Sequence, residues 1–320
     1  MIEKDAKRAI ALGYFDGVHC GHQALMKLAV QRAKETGAVS SVFTFNVHPD
    51  TVITGRRVPL ITSEARRGAE IRERGGVDEV IFARFNEELR NMDWKAFVDD
   101  VLVGQFHACW IITGRNNRFG YRGQGTPERL QEECARLGIG CDIVESVMID
   151  NIVVSSTYIR QQLAMGNMER AAQFLGHPYT IAGVVQHGRR VGRTLGFRTV
   201  NLELPEEMQA PPFGVYVSRV IADGSSHIAV TNIGVHPTFG LGDRPCVEPH
   251  ILDFDGDLYG KFIQVELLHF LRPERQYADS ELLRQAIADD IPHPREYFAA
   301  SQSECLPALQ HAAAGLFLCL

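Results

Sequence analysis

Apolar residues along this chain follow two patterns, and the change between them divides it. Arg8 to Phe15 is an apolar run of strand length, and from His22 to Thr36 apolar positions recur at helical spacing, with Leu25, Leu28, Ala29 and Ala33 on one face and Gly37 as the stop. A second extended run, Ala38 to Phe45, completes a βαβ unit. The alternation continues with a helix from Ser63, a strand at Val77 to Phe85, a helix from Asp93 and a strand at Cys109 to Thr113, which predicts a parallel sheet. Thr126-Pro127 starts another helix, the hydroxyl capping it and the proline taking its first position, and Gly138 ends it before a strand at Cys141 to Val147. Two short helices, Ser155 to Met165 and Met168 to Leu175, close this half.

Beyond Gly176-His177-Pro178 the pattern shortens to β-rich runs at Thr180 to Gln186, Gly214 to Ile221, His227 to Ile233, Val247 to Phe254 and Phe262 to Leu268, separated by Gly, Asp and Pro turns. That spacing predicts a small antiparallel barrel, followed by a helix capped by Ser280. The expected fold class is α/β plus all-β, with domains at 1–176 and 177–298 and a tail at 299–320.

Composition narrows the function classes. With 320 residues, 45% of them apolar, the chain can bury a core in each of two domains. A net charge of -6, with both signs mixed along the length, provides no polybasic stripe, so no nucleic-acid partner is expected. The apolar run at the start leads into a polar loop rather than a cleavage site, and Leu316 to Leu320 is too short for a bilayer. Neither export nor a membrane is expected. The seven cysteines are scattered without a C-x-x-C pair, which fits a reducing cytoplasm better than a disulfide framework or a zinc site. The expected partners are small molecules, with the chain a monomer or weak homo-oligomer.

Chemistry concentrates first at Gly13-Tyr14-Phe15-Asp16-Gly17-Val18-His19-Cys20-Gly21-His22, where a strand gives way to a helix. Unpaired N–H groups and the positive end of the helix dipole make such a junction a phosphate site. Two imidazoles separated by Cys20 and Gly21 can converge on one anion and stabilise the α-phosphate during in-line displacement. Taken alone, an H-x-x-H pair is better explained as helix capping, and two histidines do not fill a zinc site. Ser155, Ser156 and Thr157, at a helix start with Arg160 one turn on, supply a second phosphate-gripping group, although a serine-rich cap is the plainer reading of that cluster by itself. Together the two are far more specific. Between them, Gly114-Arg115-Asn116-Asn117-Arg118-Phe119-Gly120 follows a strand and can line an acceptor pocket. Gly260-Lys261 is followed by Phe262, which excludes a Walker loop.

The second half carries a different set. His187 to Phe197 combines Gly188, Gly192 and Gly196 with Arg189, Arg190 and Arg193, either a cationic flap over phosphates or a plain hairpin loop. Thr199 and Asn201 then alternate on an extended segment, so their oxygens face one way and suit Mg²⁺. Glu248 lies in an alternating strand, sharing a face with His250 and Leu252, and can serve as general base for an alcohol attacking a γ-phosphate. An edge-strand glutamate paired with an arginine is the plainer alternative.

Six motifs, in order, carry a resemblance: GYFDGVHCGH at 13–22, RFG at 118–120, SSTYIR at 155–160, GRTLGF at 192–197, NIGVHPTF at 232–239 and LDFDGDLYG at 252–260. From about Ile10 to Phe298 the chain resembles the bacterial bifunctional riboflavin kinase/FAD synthetase family. The resemblance implies an N-terminal Rossmann-like nucleotidyltransferase domain joining FMN to AMP, yielding FAD and pyrophosphate, and a C-terminal riboflavin kinase-like barrel making FMN from riboflavin and ATP. It also implies magnesium at both sites. Gly13, Phe15, Asp16, His19, Gly21, His22, Asn116, Ser155, Ser156, Thr157 and Arg160 then fall to the adenylylating ATP. Gly188, Gly192, Arg193, Gly196, Thr199 and Asn201 fall to the kinase ATP, Thr199 and Asn201 also to its metal, and Glu248, His19 and His22 to catalysis.

Three stretches depart from the family pattern. Arg198-Thr199-Val200-Asn201 stands for Pro-Thr-Ala-Asn, Asn46-Val47-His48-Pro49 for Glu-Pro-His-Pro, and Asn117 for an aromatic residue, which predicts weaker flavin stacking. They motivate a second reading, in which one half is catalytically weakened and acts as a flavin-binding regulatory module. A third changes the acceptor of the first domain to nicotinamide mononucleotide or phosphopantetheine, which the attached barrel argues against.

Overall fold

Strand β1 (Arg8–Leu12) is buried at all five positions, as a strand covered on both faces must be. It lies in a parallel sheet of order β3-β2-β1-β4-β5, with β2 at Val39–Phe45, β3 at Glu79–Ala83, β4 at Ala108–Gly114 and β5 at Gly140–Val144. The structure, a computed structural model, describes residues 2–3, 5–186, 197, 199–235 and 245–300. Ala9 and Ala11 face one layer, where α1 (Cys20–Thr36) and α3 (Glu64–Gly75) bring Leu25, Met26, Ala29 and Ile71. Ile10 and Leu12 face the other, against Phe97, Leu102, Leu130 and Cys134. Each such aliphatic side chain contributes roughly 1.5–3 kcal/mol by leaving water.

The helices start and stop where local chemistry dictates. His19 is the N-cap of α1, its Nδ1 accepting from His22 N, so the helix begins two residues before the apolar periodicity announces it. Thr126 caps α6 (Pro127–Leu137) and Gly138 ends it in the left-handed region, as expected. Short helices α2 (Pro49–Thr54) and α4 (Glu87–Asn91) carry too few turns to show a period. Helix α5 (Trp94–Ala96) runs on as a π-helical stretch over Phe97–Gln105. A small hairpin of β6 (Met148–Ile149) and β7 (Ile152–Val153) precedes α7 (Ser156–Ala164) and α8 (Met168–Leu175).

In the second half six strands form an antiparallel sheet of order β8-β13-β10-β11-β12-β9: β8 at Tyr179–Val184, β9 at Leu202–Glu203, β10 at Gly214–Ala222, β11 at Ser225–Val235, β12 at Pro245–Ile251 and β13 at Phe262–Pro273. The sheet curls until its edges nearly meet, Gln186 N donating to Asn201 O at 2.8 Å, so the barrel is almost closed. Irregular register between β10 and β13 lets long strands bend. Ile181, Val220, Val247 and Val265 fill the buried face, and the buried hydroxyls of Ser218 and Thr231 satisfy one another at 2.6 Å. Helix α9 (Ser280–Asp290) is held to β13 by a bidentate Arg272–Asp290 pair. Its cap is Asp279, not Ser280: the Asp279 carboxylate accepts from Leu282 N, a bond that leaves Ser280 inside the first turn.

The chain forms two compact units, the first comprising Met1–Gln162, Arg170–His177 and Glu207–Gln209, the second opening its main body at Pro178 and including Leu163–Glu169. Among the described residues no helix is long and apolar enough to cross a membrane.

Candidate functional site

The loop between β1 and α1 is held in a conformation that free peptides avoid. Phe15, Gly17 and Val18 have φ of 61°, 79° and 41°, and for Phe15 and Val18 this costs of order 1–3 kcal/mol each. Gly17 is required twice over, because a Cβ there would also lie 2.9 Å from the Ile61 side chain. What holds the loop is Asp16, which is 2% exposed. Its Oδ1 accepts from Ile61 N at 2.8 Å and Thr62 N at 3.1 Å, and its Oδ2 from Arg160 at 2.9 Å. Its carbonyl accepts from Ser156 Oγ at 3.0 Å. Burial pushes the Asp16 carboxyl up, and the two amides and the guanidinium oppose that.

The outcome is a stacked imidazole pair. His19 and His22 lie with ring centroids 3.5 Å apart and planes 14° from parallel, backed by Phe15. Burial pushes His19 down to about 3, with Arg160 and His177 adding to the effect, and burial likewise holds His22 well below the usual imidazole range. Both rings are therefore neutral at physiological pH. Since His19 Nδ1 accepts from His22 N, its proton sits on Nε2, where it can be donated. His22 Nδ1 is buried without a hydrogen-bond partner among the described residues.

Helix α7 arrives beside this loop. Ser155 Oγ caps it by accepting from Tyr158 N, Ser156 bonds the loop, and Thr157 is exposed beside Arg160 Nη2 at 3.4 Å. The structure thus brings together Phe15, Asp16, His19, Gly21, His22, Ser155, Ser156, Thr157 and Arg160. Gly21 lies tight against the His19 ring, 3.2 Å from a would-be Cβ. Asn116 is exposed, its amide donating to Ser146 Oγ at 3.4 Å.

Gly13 leads instead into a cavity of about 650 Å³ at the carboxyl ends of β1, β2 and β4, where ligands of open α/β sheets gather. Phe43, Phe45, Phe85, Phe97 and Phe119 line it, with Asn117, Arg118 and Gly120 from the loop singled out in the sequence. Tyr14, His48 and Asp50 also line it. Tyr14 and His48 meet there at 4.5 Å, the fully buried Arg67 lies 3.9 Å over the Tyr14 ring, and burial, Arg160 and Arg67 all push His48 down. Arg67 also donates to Phe45 O. The sequence assigned Tyr14 no role beyond its motif and did not point to Phe43, Phe45, Phe85, Phe97 or Arg67; the alternation of Phe43 and Phe45 at a strand end was the available signal.

On the barrel, Thr199 pairs with His250, and the register that joins Val247 to Leu202 places Asn201 opposite Glu248. Cys246, Glu248 and His250 form the half-buried face of β12, while Val247, Pro249 and Ile251 are buried on the other. Thr199, Asn201 and Glu248 therefore share a face, with Asn232 across from Glu248 on β11. Leu252 lies one residue past the end of β12, its N–H donating to Ile228 O in the continuing register, and is buried where Glu248 and His250 are half-buried. Cys246 Sγ–H approaches Asn201 Oδ1 at 3.6 Å, and burial pushes that thiol up to about 12. Gly188, Gly192, Arg193 and Gly196 lie outside the described residues.

Two neutral hard oxygens beside a carboxylate suit a magnesium ion that keeps most of its waters. The α/β site differs, since Asp16 has both oxygens engaged, and among the described residues no group of three or more His, Cys, Asp or Glu could hold a metal. The residues there do not fit a protein-held ion.

Comparison with known proteins joins the two sites. A family model described as FAD synthetase matches residues 1–158, and one described as riboflavin kinase matches 175–298. The chain is 35% identical to the bifunctional riboflavin kinase/FMN adenylyltransferase of Bacillus subtilis, covering 93% of this chain and 94% of that one. It is 36% identical to the enzyme of the same name from Pseudomonas fluorescens, covering 91% and 93%. A solved structure from Streptococcus pneumoniae, called a macrolide-efflux protein, is similar at a TM-score of 0.79 and 29% identity over 92% of this chain and 95% of that one.

Two outcomes follow for the loop. Asp16→Ala leaves Arg160 and two buried amides unpaired, so chemical denaturation should show a loss of about 3–5 kcal/mol. A loss below about 1 kcal/mol would remove Asp16 from its role as strut. The histidines set a pH dependence: unfolded His19 binds a proton below about 6.5 that the folded ring refuses until about 3, so acidification through that window favours unfolding. Melting temperature should fall as pH drops below 6.5, and less steeply in His19→Asn; identical slopes would contradict the depressed imidazole.

Proposed function

This chain belongs to the bifunctional riboflavin kinase/FMN adenylyltransferase family, and we propose that its two activities are carried by the two residue sets described above. It phosphorylates riboflavin to FMN with ATP, and adenylylates FMN with a second ATP to give FAD and pyrophosphate. Both family models match, which leaves the reading of one half as a regulatory module without support. We assign adenylyl transfer to residues 1–176 and the kinase to 177–298, and place the protein in the cytoplasm, in keeping with five free cysteines among the described residues.

The observation that carries the adenylyl-transfer site is the junction of a loop presenting two stacked imidazoles with an aromatic cavity at one edge of a parallel sheet. A flavin ring suits the phenylalanine-lined walls, and a phosphate suits the polar lining beside Tyr14 and His48. FMN so placed presents a phosphate oxygen to the α-phosphorus of ATP; the new P–O bond forms as the bond to pyrophosphate breaks. His19 Nε2–H donates to the α-phosphoryl oxygens as charge builds, with His22 beside it, and neutral imidazoles do this without a protonation step. Arg160 and the α7 hydroxyls hold the outer phosphates.

At the barrel, Glu248 takes the proton of the ribityl hydroxyl as its oxygen attacks the γ-phosphorus and ADP departs. Thr199 and Asn201 would hold a magnesium ion, which would neutralise phosphate charge there. Val200 and Arg198 in place of Ala and Pro leave the two donors in their alternating positions.

Two variants of the full chain separate the halves. Glu248→Gln should reduce FMN formation by at least about 100-fold and leave FAD synthesis from supplied FMN intact, whereas His19→Asn should do the reverse. Loss of both activities in either variant would refute the assignment.

A further inference from the structure

The loop that presents His19 is also gripped from a side that the chemistry does not touch. Gly17 O accepts from His177 Nε2 at 3.0 Å; a carbonyl can only accept, so that nitrogen carries its proton. Val18 O accepts from Gln23 Nε2 at 2.9 Å, and the same amide donates to Leu175 O at 3.0 Å. Leu175 ends α8, and Gly176 follows in the left-handed region, where a Cβ would meet Cys20 Sγ at 3.0 Å. The end of α8 is thus packed directly against the start of α1. His177 is 8% exposed, ends the Arg170–His177 run of the first compact unit, and falls outside every motif that marked the sites.

The acceptor it holds is not an ordinary carbonyl. Gly17 and Val18 both have positive φ, and Val18, β-branched at 41°, sits immediately before His19. A backbone of this kind persists only where surrounding bonds over-determine it. Asp16 and Ser156 fix the loop at residue 16; His177 fixes it at residue 17, between that anchor and the imidazole.

We propose that His177 is a positioning residue for adenylyl transfer, its Nε2–H setting the Gly17 carbonyl and with it the angle at which His19 meets the α-phosphate. The inference rests on the reading that His19 acts there. Without the bond the loop relaxes, the nucleotide still binds, and the imidazole is misplaced at the moment charge develops.

The test compares His177→Phe, which keeps a ring without a donor, and His177→Gln, which keeps an N–H at similar reach, both in the full chain. His177→Phe should lower kcat for FAD formation roughly 10- to 100-fold, leave KM for FMN unchanged, and leave riboflavin phosphorylation at the parent rate. His177→Gln should recover most of the loss. The proposal is overturned if His177→Phe keeps the parent kcat, if His177→Gln is as slow as His177→Phe, or if both activities and the melting temperature fall together, the mark of a merely structural histidine. His19→Asn run in parallel separates the two ideas. A His19→Asn enzyme that still makes FAD defeats the reading beneath, and an inactive one beside an unaffected His177→Phe defeats this inference alone.

Discussion

One buried carboxylate ties the adenylyl-transfer half together. Asp16 reaches the amides before α3 through one oxygen and Arg160 of α7 through the other, joining segments 45 and 144 residues away in the chain. The bonds offset a burial that would be costly for a lone carboxylate. They also hold a strained loop in which Phe15, Gly17 and Val18 all adopt positive φ. Were that loop to relax, the imidazoles of His19 and His22 would no longer stack, and the helix start would lose its cap.

Burial then decides the chemistry available. Rings held neutral by burial can act in the proposed reaction as fixed donors rather than as acids and bases, and a donor in a low-dielectric setting stabilises developing charge more than one in water. The neighbouring cavity has the mixed lining that the proposed amphiphilic acceptor would need, phenylalanines together with Tyr14 and His48. The barrel solves a different problem. The face proposed to react there is half-buried and oxygen-rich, built from the register of short strands, and it suits a hydrated cation.

Much of this was legible in the residues, and what escaped had a physical reason. The βαβ units showed because Leu25, Ala29 and Ala33 keep a helical period and β1 is apolar throughout; Thr126-Pro127 and Gly138 bounded α6 because capping is local. Capping was the plainer reading of the isolated H-x-x-H pair, and His19 does cap α1, which therefore starts earlier than its apolar face. Asp16 read as a phosphate-site residue, but its partners at Ile61, Thr62 and Arg160 are visible only in three dimensions. The acceptor cavity draws on strand ends and loops spread from Leu12 to Gly123, which no local motif records. On the barrel, the alternation of Thr199 with Asn201 gave their common face, while the pairing with Glu248 depends on strand register.

The most direct test is a crystal structure of the protein with FMN and an ATP analogue whose α,β-bridging oxygen is replaced by methylene. The account predicts the isoalloxazine among Phe45, Phe85 and Phe119, and an α-phosphoryl oxygen within hydrogen-bond reach of His19 Nε2. Phosphates bound away from the His19–His22 loop, or a flavin lying outside the phenylalanine-lined cavity, would contradict it.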